Sequence, residues 1–382
     1  MYRSLFDEAR NYILELIRKN IASGERKLPT EREIASRLIA SYATVRLVTR
    51  QLESEGVILK IRGSGTYITE EAAQIIADQQ RQRLFFFHSY VLHEPENDFG
   101  VWLIREIEKG ARANNWNIRS IEVSGHDEFL RKCRELTSPE DAVVYLPPSE
   151  EFSPEHIGAL SHFSDRPLVV LDCEMGGVAI CNISTDNRRG GMLAARRFLE
   201  AGVHDIAIFL SEPPSRQLQS RIQGFCEIAE LANIRPAWID CHVSPDDDRY
   251  TFARNAMDEY LKDNPPPAGI FAVSDSGAFG LLESLKAHNI AVGKEVQVIG
   301  FDGLAAGRER SLTLASVVQP VTEIVQAVFY SLEHWESIPR ISRQIPPVFR
   351  EGDSLQTPAL PDFRFSNQHS PIYENFRRRY AK

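Results

Sequence analysis

The sequence predicts an α/β protein in which a small, mostly helical N-terminal domain precedes a two-lobed body with two doubly wound parallel sheets. Helical periodicity and one hairpin fill the first 70 residues, and apolar strand-like runs alternate with amphipathic segments from 84 to 350. The 382 residues also exceed the usual single domain of about 100–200 residues. We therefore expect a first domain over 1–70, a linker over 71–83, a body over 84–350 and a C-terminal tail over 351–382.

The chain begins with a predicted amphipathic helix. Between Leu5 and Ile21 apolar residues recur at intervals of three and four, and Gly24 follows as a helix stop. Thr30 and Glu33 have the spacing of a capping box, in which each side chain bonds the backbone N–H of the other. A second, short helix is therefore expected to begin at this point.

A third helix follows after a turn of three residues, 39–41, and is expected to run to about Glu55, where Gly56 ends it. A tight turn between two short helices is typical of a helix-turn-helix. Two predicted β-strands, 57–61 and 66–69, then flank a glycine-rich tip. This hairpin completes a winged helix-turn-helix.

The first domain resembles the GntR-type regulators in four segments that occur in the expected order: Leu28-Pro29-Thr30-Glu31-Arg32-Glu33-Ile34-Ala35, Thr44-Val45-Arg46, Leu52-Glu53-Ser54-Glu55-Gly56 and Gly63-Ser64-Gly65-Thr66-Tyr67-Ile68. The resemblance implies a domain that binds double-stranded operator DNA. It places six residues at the DNA: Arg32, Thr44, Arg46, Gly63, Ser64 and Gly65. Guanidinium groups suit this role because they bond phosphate or guanine in pairs, and glycines allow a close backbone approach.

The turn departs from the usual family pattern at two places. Ile39 stands where the family usually has Gly, and Tyr42 follows Ser41 where it usually has Arg. Tyr42 is also expected at the DNA, but a tyrosine cannot make a bidentate contact with guanine. We therefore expect an operator that differs from the commonest operator of the family.

Charge separates the two parts of the chain. The first 70 residues carry 12 Lys and Arg against 9 Asp and Glu, whereas the remaining residues carry 32 against 44. Phosphate groups repel an acidic surface. The balance favours a protein that presents only its N-terminal domain to a polyanion.

The body contains more predicted strands than one compact sheet needs. The strand-like runs are 84–87, 118–123, 142–146, 168–171, 206–210, 270–273 and 296–301. We expect lobe 1 over about 84–186 and 317–338, and lobe 2 over about 187–316 and 339–350. Ligands of such sheets bind beyond the carboxyl ends of the strands, in a cleft.

The body resembles the receptor domain of LacI/GalR-type regulators, which is related to periplasmic sugar-binding proteins. The matching segments are Pro167-Leu168-Val169-Val170-Leu171-Asp172, Ile183-Ser184-Thr185-Asp186-Asn187, Arg221-Ile222-Gln223-Gly224-Phe225, Val273-Ser274-Asp275, Val298-Ile299-Gly300-Phe301-Asp302-Gly303 and Val317-Val318-Gln319-Pro320. The resemblance implies a two-lobed periplasmic-binding-protein-like domain. The segment 88–95 fits no family pattern, so the ligand stays open at this point.

By this resemblance Arg221 and Asp275 reach the cleft from the second lobe, and Ser215 and Asp172 line it. A carboxylate and a guanidinium suit the hydroxyl groups of a sugar-like polyol. The alternatives are a helix N-cap for Asp275 and a structural salt bridge for Arg221. Tyr90 and Phe99 are aromatic candidates for stacking on a sugar face, with core packing as the alternative. Asp302 is expected to organise the loop between the lobes.

Together the two resemblances predict a cytoplasmic transcription regulator, and the pairing is similar to the arabinose repressors of Gram-positive bacteria. We expect a repressor controlled by a sugar or sugar derivative. We also expect a homodimer, because one such DNA-binding domain makes few base contacts. The charged first twenty residues predict neither a signal peptide nor a membrane anchor. No cofactor, metal or enzyme activity is expected.

Three other functions compete with this prediction. The body could have no ligand and serve only in dimerisation. The cleft could be the active site of an enzyme, as in GntR-headed proteins fused to a pyridoxal-phosphate-binding domain. The sequence shows no nucleophile–base pair or phosphate loop, however. The third alternative is a transport-type binding protein, which would carry a signal peptide and would lack a winged helix.

Overall fold

The computed structural model describes residues 5–38, 41–73, 75–76, 83–89, 98–136, 138, 140–148, 150–163, 166–173, 175, 179–245, 247–304 and 312–356. Three helices and an antiparallel hairpin form the first domain, in the order α1 (Leu5–Ser23), α2 (Glu31–Leu38), α3 (Tyr42–Ser54), β1 (Ile58–Ile61) and β2 (Gly65–Ile68). Helices α2 and α3 and the β1–β2 wing are the predicted winged helix-turn-helix.

Local side-chain bonds start and stop the two short helices. The Thr30 backbone N–H donates to Glu33 Oε2 over 2.7 Å, and the Glu33 N–H donates to Thr30 Oγ1 over 3.3 Å. Ser41 caps α3 by accepting from the Thr44 N–H over 3.1 Å. Gly56 has a φ of +77°, a conformation that favours glycine. The capping box and the helix stop are thus present as predicted.

The core of the first domain extends beyond the predicted boundary at residue 70. Ala72 and Ile76 are 0% and 3% exposed and pack with the apolar side chains of α1, α3 and the hairpin. Their spacing of four residues puts both on one face of a helical turn. The predicted linker 71–83 therefore begins inside this domain, although the polar composition of this stretch had favoured a connector.

The body follows as an alternation of strands and helices. In chain order its elements are β3 (Arg83–His88), α4 (Phe99–Ala113), β4 (Asn117–Glu122), α5 (His126–Arg134), β5 (Ala142–Leu146), α6 (Pro154–Ser161), β6 (Leu168–Leu171), β7 (Cys181–Thr185), α7 (Asn187–Glu200), β8 (Ile206–Leu210), α8 (Arg216–Leu231), β9 (Ala237–Asp240), α9 (Arg249–Asp263), β10 (Gly269–Ala272), α10 (Asp275–Ala287), β11 (Gln297–Asp302), β12 (Ala315–Val318), α11 (Val321–Glu333), β13 (Ser342–Ile345) and β14 (Val348–Arg350).

Two six-stranded sheets form the two lobes. The sheet of lobe 1 is parallel throughout, in the order β13-β7-β6-β5-β3-β4. The sheet of lobe 2 has the order β14-β12-β11-β10-β8-β9, and only its edge strand β14 is antiparallel. Consecutive residues point to opposite faces of a sheet, yet Phe86 and Phe87 in lobe 1 and Ile208 and Phe209 in lobe 2 are all fully buried. Both faces of both sheets are therefore covered, as in the predicted doubly wound fold.

The chain passes between the lobes at three places, after β7, β12 and β13, and two of these differ from the prediction. Strand β12 pairs with β11 and so belongs to lobe 2, although residues 317–338 were assigned to lobe 1. Strand β13 pairs with β7 in lobe 1, although 339–350 were assigned to lobe 2. The segment Ser342-Arg343-Gln344 is too polar to signal a strand, because β13 lies at a sheet edge.

The predicted tail begins within lobe 2. Ser354 Oγ donates to the Val298 carbonyl over 2.7 Å and accepts from the Ala315 N–H over 2.8 Å, and Leu355 is 5% exposed. Residues up to 356 therefore complete the packing of β11 and β12, whereas 357–382 lie outside the described residues. In the part of the chain that the structure describes, every helix is too short or too polar to cross a membrane.

Candidate DNA and ligand sites

Four of the predicted DNA-contacting residues lie on helices α2 and α3 of the first domain. Arg32 on α2 and Arg46 on α3 are exposed, and Tyr42 is 45% exposed. Thr44 is half-buried, and its hydroxyl lies 2.8 Å from that of the cap Ser41. These four side chains lie on the helix-turn-helix, as the resemblance implied.

The wing tip is shaped by two glycines. Gly63 and Gly65 have φ angles of +79° and +128°, which side chains rarely adopt. Ser64 between them is exposed, and its hydroxyl lies 2.7 Å from the Tyr67 hydroxyl. The tip can therefore present backbone N–H groups without a Cβ in the way.

A polar network that the sequence did not indicate ties the wing to both short helices. Lys60 Nζ on β1 lies 2.7 Å from Glu31 Oε1 on α2 and 2.9 Å from Thr49 Oγ1 on α3. Burial alone would raise the pKa of Glu31, but hydrogen bonds from Lys60 and Thr49 outweigh it, and its pKa is lowered. An ionised Glu31 thus fixes the wing relative to the helix-turn-helix.

A cleft between the lobes encloses about 660 Å³, part of it open to solvent. Lobe 1 lines it with Asp98, Phe99, Gly100 and Asp172, and lobe 2 with Glu212, Pro213, Ser215, Gln217, Leu218, Arg221, Arg249, Ser274, Ser276 and Asp302, while Gln319 lies where the chain passes between the lobes. All of these residues follow the carboxyl ends of strands or begin the next helix, which is where ligands of such sheets bind.

Arg221 lies at the floor of the cleft with 7% of its surface exposed. Its Nη2 donates to Asn187 Oδ1 over 3.0 Å, and its Nη1 donates to the Val273 carbonyl. Its guanidinium carbon lies 3.4 Å from the centroid of the Phe301 ring. Burial lowers the pKa of Arg221, and the charge of Asp302 opposes this more strongly than that of any other carboxylate. The alternative, a structural salt bridge, does not fit these contacts, because the hydrogen-bond partners are an amide oxygen and a backbone carbonyl.

Asp302 connects the cleft to the segments that join the lobes. Its Oδ1 accepts from Gln319 Nε2 over 2.8 Å, and Gln319 Oε1 accepts from the Thr185 hydroxyl over 2.6 Å. Burial raises the pKa of Asp302 well above its ordinary value, although Arg221 opposes the shift. A group bound to Asp302 would therefore act on two of the segments that join the lobes, the one after β7 and the one after β12. The loop-organising role expected from the sequence is only part of what this residue does.

Asp275 does not reach the cleft, contrary to the prediction. It is fully buried, and its Oδ2 accepts from the N–H groups of Gly303 and Leu304 over 2.8 and 2.7 Å. Its Oδ1 accepts from the Ser316 hydroxyl over 2.7 Å. The N-cap of α10 is the preceding Ser274, so Asp275 is in the first helical turn, and it is not among the described residues that line the cleft. Its role is to hold the loop that follows β11.

The other predicted ligand residues are divided. Asp172 and Ser215 line the cleft, and Ser215 also caps α8 by accepting from the Leu218 N–H over 3.2 Å. Phe99 lines the cleft at the start of α4 and packs against Trp102. Tyr90 lies outside the described residues.

Three contacts across the cleft were not predicted. Arg249 Nη1 of lobe 2 lies 3.8 Å from Asp98 Oδ2 of lobe 1, while its Nε donates to Glu212 over 2.7 Å. Arg216 pairs with Glu151 of lobe 1 over 3.0 Å, and Gln217 donates to the Asp172 carbonyl. Local sequence carries no signal for pairs this far apart in the chain. They hold the two lobes together around the cleft.

Asp275→Asn is expected to make the protein more stable at alkaline pH. Burial raises the pKa of Asp275 to about 7. Because this lies above the unfolded value, the stabilising effect is full below about pH 4 and is lost as the pH rises through about 7. An amide stays neutral and can still form hydrogen bonds with the N–H groups of Gly303 and Leu304 and with the Ser316 hydroxyl. The variant's stability relative to wild type should therefore rise by about 2 kcal/mol between pH 5 and pH 8.

Denaturant unfolding at the two pH values measures this difference. Asp353→Asn is the matched control, because hydrogen bonds from Thr313 lower the pKa of that exposed carboxyl. Its difference from wild type should be the same at pH 5 and pH 8. A pH-independent difference for Asp275→Asn would contradict the assignment.

The fold and the two sites define a class of protein, a DNA-binding regulator with a receptor-like second domain. The first domain matches the family profile of bacterial regulatory proteins, gntR family, over residues 5–68. Residues 195–354 match the profile of the periplasmic binding protein-like domain. The protein is thus a transcriptional regulator that combines a GntR-family DNA-binding domain with a periplasmic-binding-protein-like domain, as the sequence predicted.

The chain is also similar to named transcriptional repressors and to a solved structure. The chain is 22% identical over 331 residues to the arabinose metabolism transcriptional repressor of Geobacillus stearothermophilus, covering 84% of this chain and 88% of that protein. It is 23% identical over 236 residues to the HTH-type transcriptional repressor PurR of Histophilus somni strain 2336, covering 61% and 70%. A LacI family transcriptional regulator from Enterococcus faecium with bound ribose superposes with a TM-score of 0.59 at 20% identity, covering 72% and 99%.

Proposed function

We propose that this protein is a homodimeric, cytoplasmic transcriptional repressor whose affinity for operator DNA is lowered by a neutral sugar or sugar derivative bound between the lobes. The observation that carries the proposal is the cleft, where polar side chains of both lobes meet and Asp302 contacts the segments that join them. The exposed arginines of the helix-turn-helix support the DNA-binding half. Paired domains supply the base contacts that one domain lacks.

The charge of the cleft favours a neutral ligand over a sugar phosphate or a sugar acid. Four of its described lining residues are carboxylates, Asp98, Asp172, Glu212 and Asp302, whereas two are arginines. Even with Asp302 protonated, the carboxylates outnumber the guanidinium groups. Arg249 is already paired with Glu212, and Arg221 bonds Asn187. A phosphate would therefore enter a cleft whose described lining residues carry more carboxylates than guanidinium groups, whereas hydroxyl groups can both donate and accept.

The ligand acts through a difference in affinity between two arrangements of the lobes. A ligand shifts such an equilibrium only as far as its affinities for the two states differ. A polyol that bonds Asp172 and packs on Phe99 on one side, and bonds Ser215 and Asp302 on the other, would favour the closed cleft. Closure rotates one lobe relative to the other and changes the spacing of the two DNA-binding domains in the dimer.

Neutral pentoses and hexoses are expected to raise the thermal stability of the protein, and their phosphates and sugar acids are not. A ligand that binds only the folded state adds about 2.7 kcal/mol at 100 times its Kd. The measurement is thermal denaturation of the full-length protein against a panel of these compounds, with wild type and Asp302→Asn side by side. The variant should lose the shift because one oxygen of Asp302 already accepts from Gln319, and the amide nitrogen that replaces the other cannot accept a hydrogen bond from a ligand hydroxyl.

Asp263→Asn is the control for this experiment. Asp263 ends α9, whose first residue Arg249 lines the cleft, so about 20 Å of helix separates it from the ligand. This variant should keep the full shift. A shift with sugar phosphates alone would overturn the neutral class, and no shift across the panel would favour a body that serves only in dimerisation.

A further inference from the structure

Helix α3 exposes a leucine on the face that carries the DNA-contacting arginine. Leu47 is 58% exposed, whereas its neighbours in the first-domain core, Val45 and Val48, are 0% exposed. With 3.6 residues per turn, Leu47 lies one turn beyond Ala43 and one turn before Arg50, about 100° around the helix from Arg46. Arg50, one turn beyond Arg46, is exposed as well.

The fold itself does not account for this leucine. The apolar core around Val45, Val48 and Leu52 closes without it. Arg50 is its neighbour one turn further along the helix, and Arg46 lies on the adjoining side; both guanidinium groups attract a polyanion and would not favour an apolar protein partner. An exposed leucine close to two exposed arginines is therefore suited to a surface that is both apolar and surrounded by negative charge.

We propose that Leu47 is a specificity-determining residue that packs on the 5-methyl group of a thymine in the major groove. This inference rests on the proposed binding of operator DNA. Thymine is the base that offers an apolar group at the edge of the major groove, and apolar side chains recognise it by contact. Arg46 and Arg50 flank the contact and face the phosphates or a neighbouring guanine. Leu47 thereby adds a preference for T·A that the arginines cannot supply.

The size of the effect follows from the area that the contact removes from water. Burial of one methyl-sized group changes a binding constant about fourfold, so the effect is about fourfold for one half-site and about fifteenfold for two. This is small beside the phosphate contacts but large enough to select a base. The affinity for DNA of unrelated sequence should not change.

The test begins with selection of duplexes from a randomised library by the full-length wild-type protein. Fluorescence anisotropy then compares wild type, Leu47→Ala and Leu47→Gln on the selected duplex and on duplexes with deoxyuridine in place of each thymine. At one thymine per half-site, loss of the methyl group should weaken wild type about fourfold and leave both variants unchanged. Leu231→Ala, which truncates an 82% exposed leucine at the end of α8, should behave as wild type.

The outcomes separate this inference from the proposed function. A selected motif in which no deoxyuridine substitution distinguishes wild type from the Leu47 variants would overturn the role of Leu47 and leave the regulator intact. Failure of wild type to select any motif would overturn both. Thermal denaturation of the two variants checks their folding, and an exposed side chain predicts unchanged melting temperatures.

Discussion

Gly191→Ala is expected to destabilise lobe 2 by about 3 kcal/mol and to abolish the response to ligand. A Cβ at Gly191 on α7 would overlap the backbone carbonyl of Arg221 on α8, and one at Gly224 would overlap the carbonyl of Arg188. Backbone atoms cannot move aside as a side-chain end can, so α7 and α8 must separate. Because Arg221 is on α8, the separation also displaces its guanidinium from the cleft. Denaturant unfolding and the thermal shift with ligand measure the two effects.

Gly158→Ala provides the matched control. Gly158 is also helical, in α6, but a Cβ there would have no atom within 4 Å. Alanine favours a helix over glycine by up to about 1 kcal/mol, so this variant should be as stable as wild type or more stable. Equal effects of the two substitutions would mean that helix propensity, not the contact between α7 and α8, decides stability at Gly191.

Ligand saturation is expected to weaken operator binding at least tenfold in wild type and to leave Asp302→Asn unaffected. Coupling between two sites typically amounts to about 1–3 kcal/mol, which corresponds to roughly 5-fold to 150-fold in affinity. Asp302 is the cleft residue whose partner Gln319 also bonds Thr185. Asparagine preserves the acceptor for Gln319 and the size of the side chain. The variant should therefore bind operator like wild type while its ligand response is lost.

The winged helix-turn-helix could be predicted in detail because its signals are local. Thr30 and Glu33 form their capping box within four residues. Gly56 follows the end of α3 with a positive φ angle, which glycine adopts readily because it has no Cβ. The α/β alternation of the body could be predicted for the same reason, since most of its buried strands are apolar runs. The buried strand β7 gave no such signal, because Asn182, Ser184 and Thr185 interrupt it. The burial of Ala72 and Ile76 was not predicted, because the segment 70–83 around them is rich in Glu, Gln and Arg and favoured a connector.

The cleft was predicted only in part, because its geometry depends on which side chain after a strand turns inward. Asp275 and Asp302 both follow buried strands, and the sequence pattern favoured Asp275. The structure reverses the choice, since Ser274 takes the cap position and Asp275 turns toward the loop of Gly303. Asp302 has a φ of +122°, which the sequence does not reveal. The pairing of Arg249 with Asp98 likewise joins two lobes that no local pattern relates.

The most direct test of the account is a fluorescence anisotropy titration of the selected operator with full-length protein, in the absence and presence of a saturating neutral sugar identified by thermal shift. The account predicts that the ligand raises the operator Kd at least tenfold, with no such change for Asp302→Asn. An operator Kd that stays within twofold with the cleft demonstrably occupied would contradict it, because the ligand site and the DNA site would then be independent.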